Sequence, residues 1–333
     1  MRVDIETSNG KVLVVNDHGS DFSYGRWGHH GFACLVAAQG KYFTSLGKVS
    51  NELNAAAFIA MRDMKWSKYL HGPDHEAIMA AYNKEWDSLT SSVLRELSED
   101  DHEYEDAVRY ATKGRIILEF KRVGIWKARV VVRGDLEDRE RLDGPDFNYA
   151  ANVCEFAAVR NLLFQPRENP AKSGRNGDPT VIASADIAVA YTQADRFQPH
   201  EPKRYLMVLD PVTGKWRYFR QLGNLYGSAG AGVRWEKTLV KFMTDKDSGF
   251  VQGKNEPCAF YNAERDIAVL SYCDDLLVRG KRSQVQWFFN KLGRRFNIKP
   301  PAYLSSSDML DHLGMVIFES DEGLYLSMQS YIE

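Results

Sequence analysis

No apolar run in the 333 residues approaches the ~20 needed to cross a bilayer as a helix, and the N-terminus lacks a secretion-signal pattern. Neither a membrane partner nor a targeting signal is expected. Cysteine is scarce. Cys34, Cys154, Cys258 and Cys273 are scattered without a Cys-x-x-Cys pair, which fits a reducing compartment and argues against structural zinc. The glycine-rich stretch 227–232 fits neither GxGxxG nor GxxxxGK[ST], so it is not read as a phosphate loop. There is no internal repeat and no low-complexity tract. The net charge of −2 gives the chain no global pull toward polyanions. With 44% hydrophobic and 26% charged residues the composition is that of an ordinary soluble globular protein. The length allows one large domain or two or three small ones.

The charge is unevenly placed. Residues 96–106 carry seven acidic and no basic side chains, and 279–299 carry seven Lys or Arg and no acid. Residues 201–241 hold eight basic against three acidic side chains. Such basic segments suit a phosphate backbone if they fold beside one site, and otherwise form a solvated face.

Residues 1–74 form an N-terminal segment of unassigned role, with strand-like alternation at 3–15 and 33–43 and glycine breaks at 25–31. A helix is predicted over 74–97, with Asp74 as N-cap and apolar residues at Ile78, Ala81, Tyr82, Trp86 and Leu89. The acidic run after it reads as a loop. Strands are predicted at 116–120 and 126–132, 181–187, 204–209, 258–261 and 267–272, with helices at 155–164, 234–243 and 283–295. The order strand–helix–strand–strand–helix suggests an α+β fold, an antiparallel split-βαβ sheet with helices on one face.

Two adjacent acids stand out. Tyr272-Cys273-Asp274-Asp275 lies between the apolar runs 267–271 and 276–278, so the acidic pair sits at the tip of a tight hairpin. Like charges side by side there are costly unless a divalent cation neutralises them. Asp186 ends a predicted strand some ninety residues earlier. In a split-βαβ sheet those strands are neighbours, which gathers three carboxylates of the kind that two metal ions use in phosphoryl transfer.

The motifs around this cluster resemble, in order over about 75–333, the reverse transcriptase of Ty1/copia-type retrotransposons, part of the retrovirus-related Pol polyprotein. Lys127-Ala-Arg-Val-Val-Val-Arg-Gly-Asp135 resembles the fingers motif, and Asp186-Ile-Ala-Val-Ala-Tyr191 the segment with the first metal ligand. Leu225-Tyr226-Gly227 followed by Trp235 resembles LYGLKQAPRxW. Pro257-Cys258-Ala-Phe260 resembles DPCLF, and the acidic hairpin resembles YVDD. His312-Leu-Gly-Met315 and Leu326-Ser-Met-Gln329 resemble the FLG and LSQ segments that follow.

The resemblance implies fingers at about 75–150 and 196–232 and a palm at about 151–195 and 233–333, without thumb or RNase H. It implies an RNA-directed DNA polymerase, a nucleotidyltransferase that extends a primer on an RNA or DNA template with dNTPs. Two Mg2+ ions, or Mn2+ in their place, would sit on Asp186, Asp274 and Asp275. Lys127 and Arg129, two apart on a strand, would grip the triphosphate. Tyr191 would pack under the deoxyribose, Leu313-Gly314 would form the primer grip, and Lys291 or Lys299 would lie near the leaving pyrophosphate. The setting would be cytoplasmic, in a retroelement particle, or nuclear. The family's Lys-Gln is replaced by Ala229-Gly230 and its Pro by Gly232. That predicts a flexible, poorly preorganised loop and impaired polymerisation, and raises a second reading: a degenerate remnant that folds and binds nucleic acid without polymerising.

Overall fold

The structure is a computed structural model that describes the backbone of 4–8, 11–15 and 21–23, and residues 66, 71–120, 124–164, 177–320 and 323–328. The chain divides into two compact units, Met1–Lys65 with Ile332–Glu333, and Trp66–Tyr331. In the first, β1 (Asp4–Ser8), β2 (Lys11–Val15) and β3 (Asp21–Ser23) form an antiparallel meander. The alternation over 3–15 is thus a hairpin. The strand expected at 33–43 and the glycine breaks at 25–31 lie outside the described residues.

The second unit is α+β and mostly sheet. Helix α1 (His75–Thr90) buries Ile78, Tyr82, Trp86 and Leu89. It stops seven residues short of the expected end. Thr90 Oγ1 and Ser92 Oγ donate back to the Trp86 and Ser88 carbonyls at 2.8 and 2.6 Å, a local alternative that closes the helix. Leu94–Leu97 then becomes β4. Asp74 stands at the N-cap but its side chain caps nothing. Part of the acidic run is also not loop, since Tyr104–Tyr110 forms α2. Strands β5 (Thr112–Phe120) and β6 (Trp126–Val132) pair antiparallel, and β7 (Thr180–Asp186) belongs to another sheet. With β8 (Arg204–Leu209) and β9 (Trp216–Gln221) a five-stranded sheet forms in the order β4-β9-β8-β5-β6, and α1 covers one face through Trp86, stacked on Phe219 at 4.8 Å.

The remaining strands are β10 (Val251–Gln252), β11 (Ala259–Asn262), β12 (Ile267–Tyr272), β13 (Asp275–Lys281) and β14 (Ala302–Tyr303). They join β7 in an antiparallel sheet of order β10-β11-β12-β13-β7-β14. Side chains alternate between its faces, as the pleat requires. Val181, Ala183, Ala185, Val269, Leu276 and Val278 share one core with Trp235 and Leu239 of α5 (Ala231–Met243) and with Val285, Phe288 and Leu292 of α6 (Arg282–Arg295). Ile182, Leu270 and Leu277 face the other way. There they meet Val159, Leu162 and Leu163 of α4 (Phe156–Leu163), with Leu310, Met315 and Ile317 of a three-stranded sheet. The expectation of helices on one face is therefore corrected: α4 packs on the opposite face. An apolar i, i+3, i+4 spacing fixes which side of a helix is buried but not which side of a sheet it covers.

A short helix α3 (Arg139–Asp143) supplies the tie between the two larger sheets. Asp143, with a side chain 1% exposed, binds Arg204 of β8 and, at 3.0 Å, Arg234 of α5. Arg234 also pairs with Glu201 at 2.7 Å, and both guanidiniums lie against the Phe197 ring at about 5 Å.

Candidate active site

The tip of the β12–β13 hairpin is Cys273-Asp274, enclosed by the pair Tyr272 and Asp275. Cys273 adopts φ = 55°, a left-handed conformation that a two-residue hairpin favours at its first central position but that usually goes to glycine. On the far side of β13, Asp275 stands directly opposite Asp186 of β7. The Ile187 N–H donates to the Asp274 carbonyl at 2.8 Å. The ladder thus gathers Asp186, Asp274 and Asp275 at one end of the sheet.

Beyond Asp186 the chain turns sharply. Val189 has φ = 49° and ψ = 42° and opens a 3-10 turn, Ala190–Gln193. A β-branched residue in that region is strained. Gln193 fastens the turn to a later segment, accepting from Asn297 N–H at 2.7 Å while Ala188 N–H donates to the Asn297 carbonyl at 2.9 Å. Two residues on, Lys299 N–H donates to the Asp186 carbonyl at 2.8 Å, and its ammonium meets Asp186 Oδ2 at 2.5 Å. Of the two lysines open in the sequence, Lys299 is the one that reaches the carboxylates, while Lys291 lies on α6.

Burial pushes the Asp275 carboxyl up to about 6, and the charges of Asp274 and Asp186 push the same way. Lys299 opposes them and Asp311 adds to them. Asp311 lies on β15 (Leu310–His312), which pairs with β16 (Met315–Ser320) and through it with β17 (Gly323–Ser327). Leu313 and Gly314 form the tip between β15 and β16, with φ of 55° and 73°. β15 lies against β7, the strand that ends on Asp186.

The set of hard oxygen donors suits Mg2+ or Mn2+, and its surplus of negative charge is what a divalent cation offsets. Side chains are not drawn in to chelating distance. Among the described residues, the group whose ligand atoms all lie within 4.8 Å of one another is Asp101, His102 and Glu103. There Arg95 and Lys203 already pair with the acids. At Asp186 the Lys299 ammonium does the same.

Lys127 and Arg129 project from the face of β6 opposite Ala128, Val130 and Val132, which are buried toward α1. Arg129 is held by Glu119 of β5 at 3.2 Å. Burial raises Glu85, which accepts from the Val130 N–H at 3.0 Å and feels both cations. Tyr226 links this strand to the carboxylates. Burial raises its phenol to about 12, while the charge of Arg129 opposes that and the charge of Asp274 adds to it. Tyr191 lies edge-on to Tyr226 with ring centroids 5.4 Å apart. Burial drives the Tyr191 phenol well above its ordinary range, and a hydrogen bond to Cys273 adds to the shift.

The glycine-rich loop is not slack, and that expectation is corrected. Val132 N–H donates to the Tyr226 carbonyl at 2.8 Å and Gly134 N–H to the Gly227 carbonyl at 3.1 Å. A Cβ on Gly134 would lie 2.2 Å from Gly227 O, and one on Gly227 would lie 2.2 Å from Val132 O. Both glycines therefore serve one crossing of backbone over backbone. Ala229 N–H donates to buried Glu137 at 2.7 Å. Gly230 sits under Phe147, whose ring a Cβ would meet at 3.3 Å.

No protein-family model matches the chain. It is 25% identical over 212 residues to the Ty1-LR2 Gag-Pol polyprotein of Saccharomyces cerevisiae, covering 62% of this chain and 11% of that protein. To the Ty1-BR Gag-Pol polyprotein of the same yeast it is 24% identical over 262 residues, covering 77% and 14%. The chain is retrotransposon-related. It spans about a tenth of the length of these curated relatives. Among solved structures, a telomerase from Candida albicans covers 74% of this chain and 49% of its own, at 11% identity and a TM-score of 0.43.

In this retrotransposon-related chain the structure brings together Asp186, Asp274, Asp275 and Lys299. It sets Tyr191 in the cavity behind the hairpin tip, and ties β6, which carries Lys127 and Arg129, to Tyr226 through the Val132 N–H. Sequence reasoning missed Asp311 and Gln193. Both act through contacts more than thirty residues away, and neither sits in a local pattern that marks it. Among the described residues no helix is long and apolar enough to cross a membrane.

Proposed function

We propose that residues 75–333 are the fingers and palm of an RNA-directed DNA polymerase, extending a primer 3′-OH with dNTPs on an RNA or DNA template. The observation that carries this reading is the ladder that sets Asp186 opposite Asp275, with Asp274 at the adjoining tip. In this reading the three carboxylates hold two Mg2+ ions, or Mn2+, which when bound lower the pKa of the attacking hydroxyl and stabilise the leaving oxygen. Lys127 and Arg129 bind the triphosphate, and Lys299, displaced from Asp186, is placed to face the leaving pyrophosphate. Leu313 and Gly314 support the primer end.

A second reading, a remnant that folds and binds nucleic acid without polymerising, is favoured by Ala229-Gly230, which has no polar side chain where the resembled motif has Lys-Gln. Primer extension on poly(rA)/oligo(dT) with Mg2+ separates the two. Extension by the wild type, lost in Asp274→Asn and raised in Gly230→Gln, is expected of a polymerase. A wild type that adds no nucleotide supports the remnant.

A further inference from the structure

The tip that carries Asp274 and Asp275 has little packed behind it. A cavity of about 210 Å3 lies there, walled by Leu239, Phe260, Ser271, Tyr191, Trp235 and Cys273. Cys273 meanwhile holds a left-handed backbone, φ = 55°, which an L residue other than glycine does not keep unless its surroundings impose it. The two-residue turn favours it, and two side chains from outside the hairpin bear on it. Trp235 of α5, 2% exposed, donates its indole N–H to the Cys273 carbonyl at 2.8 Å. Tyr191, from the turn after Asp186, lines the same cavity as Cys273, near enough for its phenol and the Cys273 thiol to shift one another. Cys273 is thus held by its carbonyl from the helix side and flanked by Tyr191 on the Asp186 side.

We propose that Trp235 and Tyr191 are positioning residues: acting through Cys273, they set the height and orientation of the hairpin tip so that Asp274 and Asp275 stand level with Asp186. Its consequence for catalysis rests on the polymerase reading; the clamp itself does not. Neither residue needs to touch substrate to act in this way. Because Trp235 is anchored in the core beneath the sheet and Tyr191 in the turn that follows Asp186, the clamp also ties the two strand ends bearing the acids to each other.

Cys273 reports on its own restraint. Among the described cysteines Cys154 and Cys258 are buried and Cys273 is partly accessible. Iodoacetamide labelling of the full chain, with the modified peptide identified by mass spectrometry, reads the tip without metal, template or nucleotide. Trp235→Phe keeps an aromatic ring in the core while removing the donor together with the pyrrole half of the indole. Loss of one such buried hydrogen bond is expected to raise the Cys273 labelling rate about tenfold at an unchanged circular dichroism spectrum. Tyr191→Phe also alters the thiol, so for it the measurement is hydrogen–deuterium exchange of the amides of 272–276, expected to quicken several-fold. In primer extension Trp235→Phe is expected to lower kcat about tenfold per folded chain, with the unchanged circular dichroism spectrum excluding a loss of folded enzyme, which would lower apparent kcat in the same way. Labelling and exchange within twofold of wild type in two folded variants would overturn the clamp. If Trp235→Phe does not fold, the exchange measured in Tyr191→Phe decides. If the tip loosens as expected but the wild type never extends a primer, the polymerase reading fails and the clamp stands.

Discussion

Replacing Gly227 with alanine tests whether the loop after β9 is a rigid part of the fold. The added Cβ would lie 2.2 Å from Val132 O and 3.1 Å from Val132 N, both backbone atoms that cannot rotate aside. The residue also has φ = 84°. The left-handed backbone alone costs an alanine about 1–2 kcal/mol. Relieving the clash means parting β6 from the loop. That weakens the hydrogen bonds from Val132 and Gly134, each worth roughly 1 kcal/mol net. Gly227→Ala is therefore expected to lose about 3–4 kcal/mol. Gly214→Ala isolates the first contribution, since Gly214 has φ = 70° and a Cβ there would meet nothing within 4 Å; it is expected to lose about 1 kcal/mol. Urea unfolding followed by tryptophan fluorescence gives both losses as midpoint shifts at constant slope. Equal losses in the two variants would refute the crossing as a rigid element. The crossing also fixes β6, with Lys127 and Arg129, against Tyr226, so under the proposed polymerase reading it bears on the nucleotide site.

Two further outcomes follow from buried charge. Burial holds the His312 imidazole down to about 4, with Asp311 opposing. The unfolded chain takes up that proton first, near its ordinary value of about 6.5, so this stability is present above pH 6.5 and is lost as the pH falls toward 4. The loss is expected to reach about 3 kcal/mol, and His312→Gln should flatten that part of a thermal-stability profile. Asp143→Asn leaves buried Arg204 without its carboxylate, while Arg234 keeps Glu201. It is expected to cost about 3–5 kcal/mol by denaturant unfolding, whereas Asp135→Asn, at an exposed pair with Arg133, should change stability little.

How much of this was legible in the sequence depends on how local the determinants were. The acidic hairpin was, because its turn and both flanking apolar runs lie within about fifteen residues. The placing of Asp186 beside it needed topology, and the split-βαβ order supplied that. The end of α1 was missed because Thr90 and Ser92 close the helix by side-chain bonds that apolar spacing does not reveal. The loop at 227–232 was misread as slack because its partner, Gly134, lies ninety residues earlier. A glycine there marks close approach rather than freedom. Asp311, Gln193 and the cation role of Lys299 come from tertiary contacts alone.

The central claim is that the carboxylates at the ends of β7 and β13 form a divalent-cation site, and Mn2+ binding followed by electron paramagnetic resonance tests it most directly. Wild-type chain is expected to take up Mn2+ with Asp275 ionised. Asp275→Asn and Asp186→Asn should each weaken binding at least tenfold, and Lys299→Met, which frees Asp186 of its resident ammonium, should tighten it. Mn2+ affinity unchanged by Asp186→Asn and Asp275→Asn would contradict the account.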